Sequence, residues 1–451
     1  MDTIVAVATP PGRSAIGVVR LSGPQSLDIL SSLVREPLLT FPPNQVVLKQ
    51  IRVDGSSDVL DHALVTYFKS PHSFTGEDMV EISCHGSPVI LRQLLDEVQR
   101  LDARLAGPGE FTLRACQNGK MNLSQAEAIR DLINAQTKAA AQQATRQLEG
   151  ELSTALQGCE KELIQVIVRL ESALEFVEDD LPLVQVKETM GQLARVHQAV
   201  TDLAATYASG HLLREGIKVA LVGRPNVGKS SLFNKLLRFD RAIVTELPGT
   251  TRDSLTESIS LNGIPVSLTD TAGVREAGDR IESIGVERTH RAMADADLLI
   301  VVIDGSTDLV AEDHAIIKRA APLVHVVAIN KSDLTQSNGI ERELVSDTKV
   351  VRVSAQTGEG LEVLTAAILQ PFGSVDSESV GLLITDSRHH GLLVRAKEAL
   401  EESQRLLGEQ ASEELVLVGL HNALKFLGEI TGETTSEEIL GEIFSTFCIG
   451  K

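Results

Sequence analysis

The chain has 451 residues, enough for roughly two to four domains, and its 43% hydrophobic content excludes a wholly disordered protein. With 42 Lys and Arg against 62 Asp and Glu, the net charge is -20, which excludes a basic field over the whole surface, so a nucleic-acid partner would need a local basic patch. Four cysteines, at 84, 116, 159 and 448, form no closely spaced pair, which disfavours a zinc ribbon or a disulfide framework and favours a reducing cytosol.

The N-terminus lacks the pattern of a secretory signal. Its sequence MDTIVAVATPPGRS has an acidic second residue and a Pro-Pro pair where a signal peptide needs basic residues and a long apolar stretch. The longest strictly apolar run near the chain centre, Leu298–Ile303, is far shorter than the roughly 18 residues of a membrane span. We therefore expect a soluble cytoplasmic protein with no membrane partner.

Residues 1–118 have the texture of a mixed α and β domain. The segments VVRLSG, HALVTYFKS and DMVEISCHGS are predicted strands, and SPVILRQLLDEVQRL is a predicted helix of 3.6-residue period. In DMVEISC, apolar residues alternate with Glu81 and Ser83, which predicts a strand with one buried face.

Residues 119–210 are predicted to be helical. Ser124 and Glu127 have the spacing of a capping box at a helix start. Apolar residues then recur every three or four positions from Leu148 to Leu174, which is typical of amphipathic helices.

Residues 211–375 have an alternating strand and helix pattern. KVALVG, ESISLNG, PVSLTD, DLLIVVID, VHVVAIN and KVVRVS are the predicted strands, and the alternation predicts a parallel sheet wrapped by helices. Helical texture returns over 376–451. An α/β unit between two helical stretches predicts one discontinuous helical domain, because domain termini often lie close together and tolerate insertions.

A phosphate-binding loop is predicted at residues 223–230. The sequence GRPNVGKS fits G-x-x-x-x-G-K-S between a strand and a helix, where backbone N–H groups surround a phosphate, Lys229 reaches the β and γ oxygens and Ser230 binds Mg²⁺. The predicted nucleotide contacts here are Asn226, Val227, Gly228, Lys229, Ser230 and Ser231.

A second phosphate motif ends the strand PVSLTD. Asp270 is placed to hold Mg²⁺ through water, and the Gly273 N–H is placed to bind the γ-phosphate. The residues of this motif are Asp270, Thr271, Ala272 and Gly273.

Two later strand ends predict guanine selectivity. Asn330, Lys331 and Asp333 follow VHVVAIN, and a carboxylate there accepts hydrogen bonds from guanine N1–H and N2–H₂, which adenine does not offer as a pair. Ser354 and Ala355, after KVVRVS, would complete the base pocket with a backbone N–H to the guanine oxygen. The motifs in this order predict a GTP-binding domain.

The loop TELPGTTRD, residues 245–253, contains Thr251, the predicted switch threonine that binds Mg²⁺ and senses the γ-phosphate. Val274 follows the second phosphate motif, so the glutamine that orients water in Ras-like enzymes is missing. Arg252 and Arg275 are nearby, but neither is identifiable as an arginine finger. Hydrolysis must therefore be organised in another way, and a loop that orders only in an assembled state is one hypothesis.

The whole chain resembles the MnmE family of tRNA-modification GTPases, also called TrmE. The resemblance rests on Asn226 within the phosphate-binding loop, on GTTRD, on the helical flanks and on FCIGK, with TPPGRSAIGVVRLSG and GPGEFTLRACQNGKMNLSQAEAI. It implies a multidomain α/β and all-α fold, with an N-terminal α+β folate-binding and dimerisation domain, a discontinuous helical domain and an inserted Ras-like G domain.

The resemblance also implies the reaction and the folate site. Family members work with a flavoprotein, MnmG (GidA), to add an aminomethyl or carboxymethylaminomethyl group to C5 of the wobble uridine of certain tRNAs, with 5-formyltetrahydrofolate or a related tetrahydrofolate as the one-carbon donor. The folate contacts that carry over are Arg20, Glu81, Lys120 and Lys451. Cys448 matches a family cysteine near the folate.

Potassium-stimulated hydrolysis is the last implication of the resemblance. Asn226, Thr245, Leu247 and Thr250 would bind K⁺, and Glu282 matches the glutamate that orients or activates the attacking water. The other nucleotide contacts implied in this loop are Glu246, Pro248 and Gly249. Gln356 departs from the family pattern, in which lysine is commoner.

Two other functions use the same motifs. A GTP-switched ribosome-assembly or RNA-binding factor would be expected to have a basic module, but residues 376–451 contain 14 Asp and Glu against 6 Lys and Arg. A scaffold in which GTP only orders a dimer would lack multiple-turnover hydrolysis. The sequence favours the tRNA-modifying GTPase.

Overall fold

The computed structural model describes residues 2–37, 41–53, 58–175, 183–239, 255–271, 293–337, 340–344, 349–373, 381–433, 435 and 437–450. The chain divides into two compact units. One comprises Met1–Arg130, Leu148–Ser153 and Leu427–Lys451, and the other comprises Asp131–Gln147 and Thr154–Phe426. The finer four-part division drawn from the sequence stays a prediction. Within the ranges given above, every helix is too short or too polar to span a bilayer.

The first unit is built on a six-stranded sheet. Its elements are β1 (Ile4–Val7), β2 (Ser14–Ser22), α1 (Ser26–Val34), β3 (Val46–Arg52), β4 (Val59–Phe68), β5 (Met79–Gly86), α2 (Pro88–Arg100), β6 (Arg104–Leu105) and α3 (Glu110–Gln117). The strand order is β3-β4-β5-β2-β1-β6, antiparallel except for β1 with β6. Apolar residues of α1 and α2 share a core with Val80, Ile82 and Cys84 of β5, so the predicted alternation in β5 is confirmed.

Helices follow, as predicted: α4 (Leu123–Asn134), α5 (Lys138–Leu148), α6 (Glu151–Glu175), α7 (Leu183–Ala205) and α8 (Tyr207–Glu215). The apolar repeat predicted from Leu148 to Leu174 is divided between two helices. Gly150, with φ +86°, lies at the break between α5 and α6 because this backbone conformation is disfavoured for other residues.

The predicted capping box at Ser124 and Glu127 is wrong. Helix α4 begins one residue before Ser124, and Asn122 is its cap: the Asn122 Oδ1 accepts the Gln125 N–H at 2.9 Å, while the Gln125 Oε1 accepts the Asn122 N–H at 3.1 Å. The reciprocal box is therefore N-x-x-Q. Asparagine caps as well as serine does, and here it comes two residues earlier.

The second unit contains another six-stranded sheet. Its elements are β7 (Ile217–Val222), α9 (Lys229–Phe239), β8 (Leu255–Leu261), β9 (Ile264–Asp270), β10 (Leu298–Asp304), α10 (Ala311–Ala320), β11 (His325–Asn330), α11 (Ile340–Glu343), β12 (Lys349–Arg352) and α12 (Leu361–Leu369), with a 3₁₀ turn at Gln370–Phe372. The order is β12-β11-β10-β7-β9-β8. Alternate residues of β7 enter two different cores, so both faces of the sheet are covered as predicted.

One strand departs from the predicted parallel arrangement. β8 pairs antiparallel with β9 through the tight turn at Asn262 and Gly263, whose φ angles are +51° and +84°. An Asn-Gly pair between two strands is a strong hairpin signal, because both residues tolerate positive φ.

The chain ends with α13 (Ser387–Gly408), α14 (Glu413–Thr431) and α15 (Glu437–Ser445), and α13 packs on α7, on the other side of the α/β segment in sequence. The returning segment 381–386 is held by two glutamines of α5. Gln143 binds the Gly381 carbonyl at 2.9 Å and the Leu383 N–H at 3.2 Å, and Gln147 binds the Leu383 carbonyl at 3.2 Å. We name this contact the glutamine clamp.

Candidate functional site

The turn between β7 and α9 has backbone angles that require glycine at two positions. Gly223 has φ +154°, and a side chain there would lie 2.4 Å from the Val302 carbonyl oxygen. Gly228 has φ +96°, and its Cβ would lie 2.3 Å from the Asn330 side-chain nitrogen. The loop is therefore close-packed against β10 and β11, as a backbone cradle for phosphate requires.

Lys229 holds this loop together. The residue is 6% exposed, and its ammonium donates to the carbonyls of Gly223 at 2.7 Å and Arg224 at 2.8 Å. Val227 is buried beside it, whereas Asn226 and Ser230 are exposed. Because β7 lies between β9 and β10, the strand order reverses at β7, and the loop lies at the carboxyl end of this strand, the usual place for a ligand in such sheets.

Asp270 ends β9 beside the phosphate-binding turn. It pairs with Leu221 in the sheet and is 2% exposed. The next residue, Thr271, donates its hydroxyl to the Leu221 carbonyl at 2.7 Å, which fixes the end of β9 against β7. A carboxylate is thereby held at the same sheet edge as Ser230.

Asn330 connects the phosphate-binding loop to the predicted base-binding loop. Its amide Nδ2 donates to the Val227 carbonyl at 2.9 Å, and its Oδ1 accepts the Ala355 N–H at 3.0 Å. Close by, the Ser354 hydroxyl donates to the exposed Asp333 carboxylate at 2.5 Å. The residues predicted to contact guanine are thus brought together at the ends of β11 and β12.

Lys331 is fixed by a second carboxylate. It has φ +65°, and its ammonium lies 2.6 Å from Asp304 at the end of β10. Burial raises the pKa of the Asp304 carboxyl, but Lys331 and the hydroxyl and N–H of Ser306 outweigh it and bring the pKa below its usual value. The carboxylate stays ionised and anchors the lysine.

Several predicted residues lie outside the described ranges. They are Thr245, Glu246, Leu247, Pro248, Gly249, Thr250, Thr251, Ala272, Gly273, Glu282 and Lys451. Their predicted roles therefore stay predictions.

The predicted folate residues Arg20 and Glu81 face each other across β2 and β5. The Arg20 Nε and Nη2 lie 2.9 and 2.8 Å from the Glu81 Oε1, and the pair is half-buried. The guanidinium also lies 5.7 and 5.9 Å from the ring centres of Phe74 and Phe111. Lys120 is exposed and donates to the Pro71 carbonyl at 2.9 Å, on the connection between β4 and β5.

The C-terminal segment docks against Gly109 and Arg20. Phe444 and Phe447 are buried, the Gly109 N–H donates to the Cys448 carbonyl at 3.3 Å, and the Gly450 carbonyl accepts from the Arg20 Nη1 at 3.3 Å. The thiol-bearing residue Cys448 is exposed. The end of the chain therefore touches the guanidinium predicted to bind folate.

Gly109 makes the docking possible. Its φ is +64°, and a Cβ there would lie 2.9 Å from the Phe447 Cβ and 3.0 Å from the Phe444 carbonyl oxygen. Glu110 holds the same turn by accepting the Gly107 N–H at 2.8 Å. Burial raises the Glu110 pKa, but Arg104, that N–H and Arg114 together lower it below its usual value, so the carboxylate remains charged.

Sequence reasoning missed two features of these sites. The double role of Asn330 depends on which loops meet in space, which motif spacing does not encode. The requirement for Gly109 could have been suspected from GPGEF, because glycine before a helix start often marks a positive φ.

Comparisons with known proteins match the chain to one family. A family model described as "GTP-binding protein TrmE N-terminus" matches residues 3–120, and one described as "MnmE helical domain" matches residues 123–448. The chain is 44% identical to a "tRNA modification GTPase MnmE" of Koribacter versatilis, over 100% of this chain and 99% of that protein. A protein of the same description from Aquifex aeolicus is 44% identical over 100% of both chains.

Proposed function

Because the chain belongs to the MnmE family of tRNA-modification GTPases, we propose that it hydrolyses GTP and modifies C5 of the wobble uridine of certain tRNAs together with the flavoprotein MnmG (GidA). The observation that carries the GTPase part is Asn330, which joins a phosphate loop to a base loop containing Asp333. The test is to analyse wobble uridines in tRNA from cells that lack this protein. Fully modified tRNA would exclude the proposal, and a ribosome-assembly factor predicts that result.

The chain's own residues bind and orient GTP. Backbone N–H groups of the loop and Lys229 bind the phosphates, and the ammonium exchanges the Gly223 and Arg224 carbonyls for phosphate oxygens. Asp333 and Ala355 select guanine. Glu282 orients or activates the attacking water.

Mg²⁺ fits the oxygen donors at this edge. The Ser230 hydroxyl and the Asp270 carboxylate lie at the ends of adjacent elements, and hard oxygen ligands are those that Mg²⁺ prefers. Together with Thr251 they would hold the ion, which neutralises phosphate charge when bound.

We expect GTP hydrolysis to be at least about tenfold faster in KCl than in NaCl at equal ionic strength, an effect of about 1.4 kcal/mol on the barrier. Asn226, exposed and with φ +64°, offers an amide oxygen beside the phosphate loop, and Thr245, Leu247 and Thr250 would complete the K⁺ site. The smaller Na⁺ fits such a ligand set poorly, whereas general screening treats both salts alike. Turnover measured in the two salts decides it, and equal rates would remove Asn226 from this role.

The folate site would use Arg20 and Glu81. The guanidinium fits a carboxylate of the ligand, and Glu81 fits an amino and ring N–H pair, although each now binds the other. Lys120 and Lys451 would add cations for the glutamate tail. Folate supplies the one-carbon unit when bound.

We expect deletion of residues 447–451 to leave GTP hydrolysis at the parental rate, to weaken folate binding by about tenfold or more and to abolish tRNA modification. The deletion removes the Phe447 anchor and the Gly450 carbonyl that touches Arg20. Calorimetry with 5-formyltetrahydrofolate measures the binding, and nucleoside analysis measures the modification. If both survive, the C-terminal segment has no part in the site.

A pair of glycine substitutions separates docking from backbone strain. Gly109→Ala places a methyl against Phe447 and undocks the segment, whereas Gly119→Ala imposes a similar strain at φ +67° with nothing within 4 Å. We expect folate binding to weaken only in the first variant. Cys116 packs against the apolar cluster that contains Phe444 and Phe447, so faster alkylation of its thiol would report undocking.

A homodimer is part of the proposal. Val46 and Leu48 of β3 are each 63% exposed, and Leu64, the cross-strand partner of Leu48, is 48% exposed. An apolar sheet face of this kind supports pairing of N-terminal domains.

A cytoplasmic location is also part of the proposal. The four free cysteines agree with the reducing cytoplasm where tRNA is modified.

A further inference from the structure

A lysine of the phosphate-binding helix reaches the predicted base-binding loop. The Lys235 ammonium, on α9, donates to the Gln356 backbone carbonyl at 3.1 Å. Its stem lies against Gly358: a Cβ on that glycine would be 3.1 Å from the lysine Cε. The lysine is only partly exposed. Its aliphatic stem is therefore packed, and its head group is hydrogen-bonded.

The loop that Lys235 contacts is a tight turn around Ser354. The Ser354 carbonyl accepts the Gly358 N–H at 2.8 Å, and its hydroxyl accepts the Thr357 N–H at 3.1 Å while donating to Asp333. Gly358 has φ +94°, so the turn depends on glycine at the place where the lysine stem passes. Movement of the turn would move both Ala355 and the hydroxyl that orients Asp333.

Lys235 connects the two ends of the nucleotide site. Helix α9 begins at Lys229, the phosphate lysine, and six residues of helix span about 9 Å to Lys235. Asn330 makes the other connection, between the Val227 carbonyl and the Ala355 N–H. The base loop is thus held from β11 on one side and from α9 on the other.

We propose that Lys235 is a positioning residue for guanine recognition, holding the 354–358 turn so that the Ala355 N–H meets the guanine O6. The inference rests on the proposed GTP-binding function and assigns a residue outside the nucleotide motifs to the same site. A lysine that only covers the surface would not contribute to the recognition of O6. A positioning lysine and a surface lysine therefore differ in whether their loss weakens binding through O6 selectively.

The test compares GDP with the diphosphate of 6-thioguanosine, which keeps N1–H, the N2 amino group and the phosphates but replaces O6 with sulfur, a weak acceptor. In Lys235→Met, which retains most of the stem, we expect GDP to bind about three- to tenfold more weakly, the scale of one hydrogen bond. We expect the affinity of the analogue to stay within twofold of the parental value. Lys235→Arg, which keeps a donor, should restore GDP binding.

Lys318→Met is the matched control, because Lys318 is an exposed helical lysine on α10 of the same unit. It should leave both affinities at the parental value. Equal weakening of GDP and analogue in Lys235→Met, or no weakening of either, would overturn the assignment. A parental protein that binds neither ligand would instead overturn the proposed function, and this assignment with it.

Discussion

Replacement of Asp333 by asparagine is expected to weaken GTP binding by about 2 to 4 kcal/mol, a factor of roughly 30 to 1000. The carboxylate offers only acceptors to guanine N1–H and N2–H₂, whereas the amide turns a donor toward one of them. Asp333 is exposed, and its carboxylate accepts a hydrogen bond from the Ser354 hydroxyl. Because the side chain is not part of the core, the substitution should leave folding unaffected. Fluorescent-nucleotide titration measures the loss, and unchanged thermal unfolding excludes a folding defect.

The same substitution should favour xanthine nucleotides, since the xanthine 2-oxo group accepts from the new amide. Ser354→Ala is the matched control because it removes the hydroxyl bound to Asp333 and leaves the carboxylate in place. That variant should lose about tenfold or less in GTP affinity and gain no xanthine binding. Parental GTP affinity in Asp333→Asn would refute the guanine assignment.

Glu282→Ala is expected to leave GTP affinity nearly parental and to lower turnover by roughly 100-fold or more, the scale for a group that positions or activates a nucleophile. The reason is chemical: Val274 stands where Ras-like enzymes place glutamine, and valine has no group to orient water. Single-turnover hydrolysis at saturating GTP isolates the chemical step from binding.

Glu276→Ala is the control for this second substitution, because it removes a carboxylate from the same stretch of sequence. We expect its turnover to be within a few-fold of the parental rate. If the two results were exchanged, Glu276 or its neighbour Arg275 would take the role assigned to Glu282.

The strands of the α/β unit were predictable because each motif ends a strand. Asp270 and Asn330 mark the ends of β9 and β11 as well as the chemistry, so one signal located both. The antiparallel direction of β8 was not predicted, although Asn262-Gly263 is a hairpin signal. The alternation of strands and helices outweighed this two-residue turn signal.

Other features depend on distances that spacing does not contain. Asn122 caps α4 because its side chain is the one within reach of the Gln125 N–H, and Ser124 has the commoner motif but lies inside the helix. Lys235 sits on α9, 121 positions from Gln356, and nothing in its local sequence distinguishes it from a solvated lysine. Tertiary proximity decided both.

The glutamine clamp also constrains the order in which the protein folds. Gln143 and Gly381 are separated by 238 positions, so α5 is synthesised long before the segment that satisfies its amide. Contacts this distant in sequence form late, and domains generally fold in the order of synthesis. The contact between α5 and residues 381–386 therefore forms only after the whole α/β segment has left the ribosome. Until then the side-chain amides of Gln143 and Gln147 lack their partners in 381–386, so α5 is a part of the nascent chain that needs protection from misassembly.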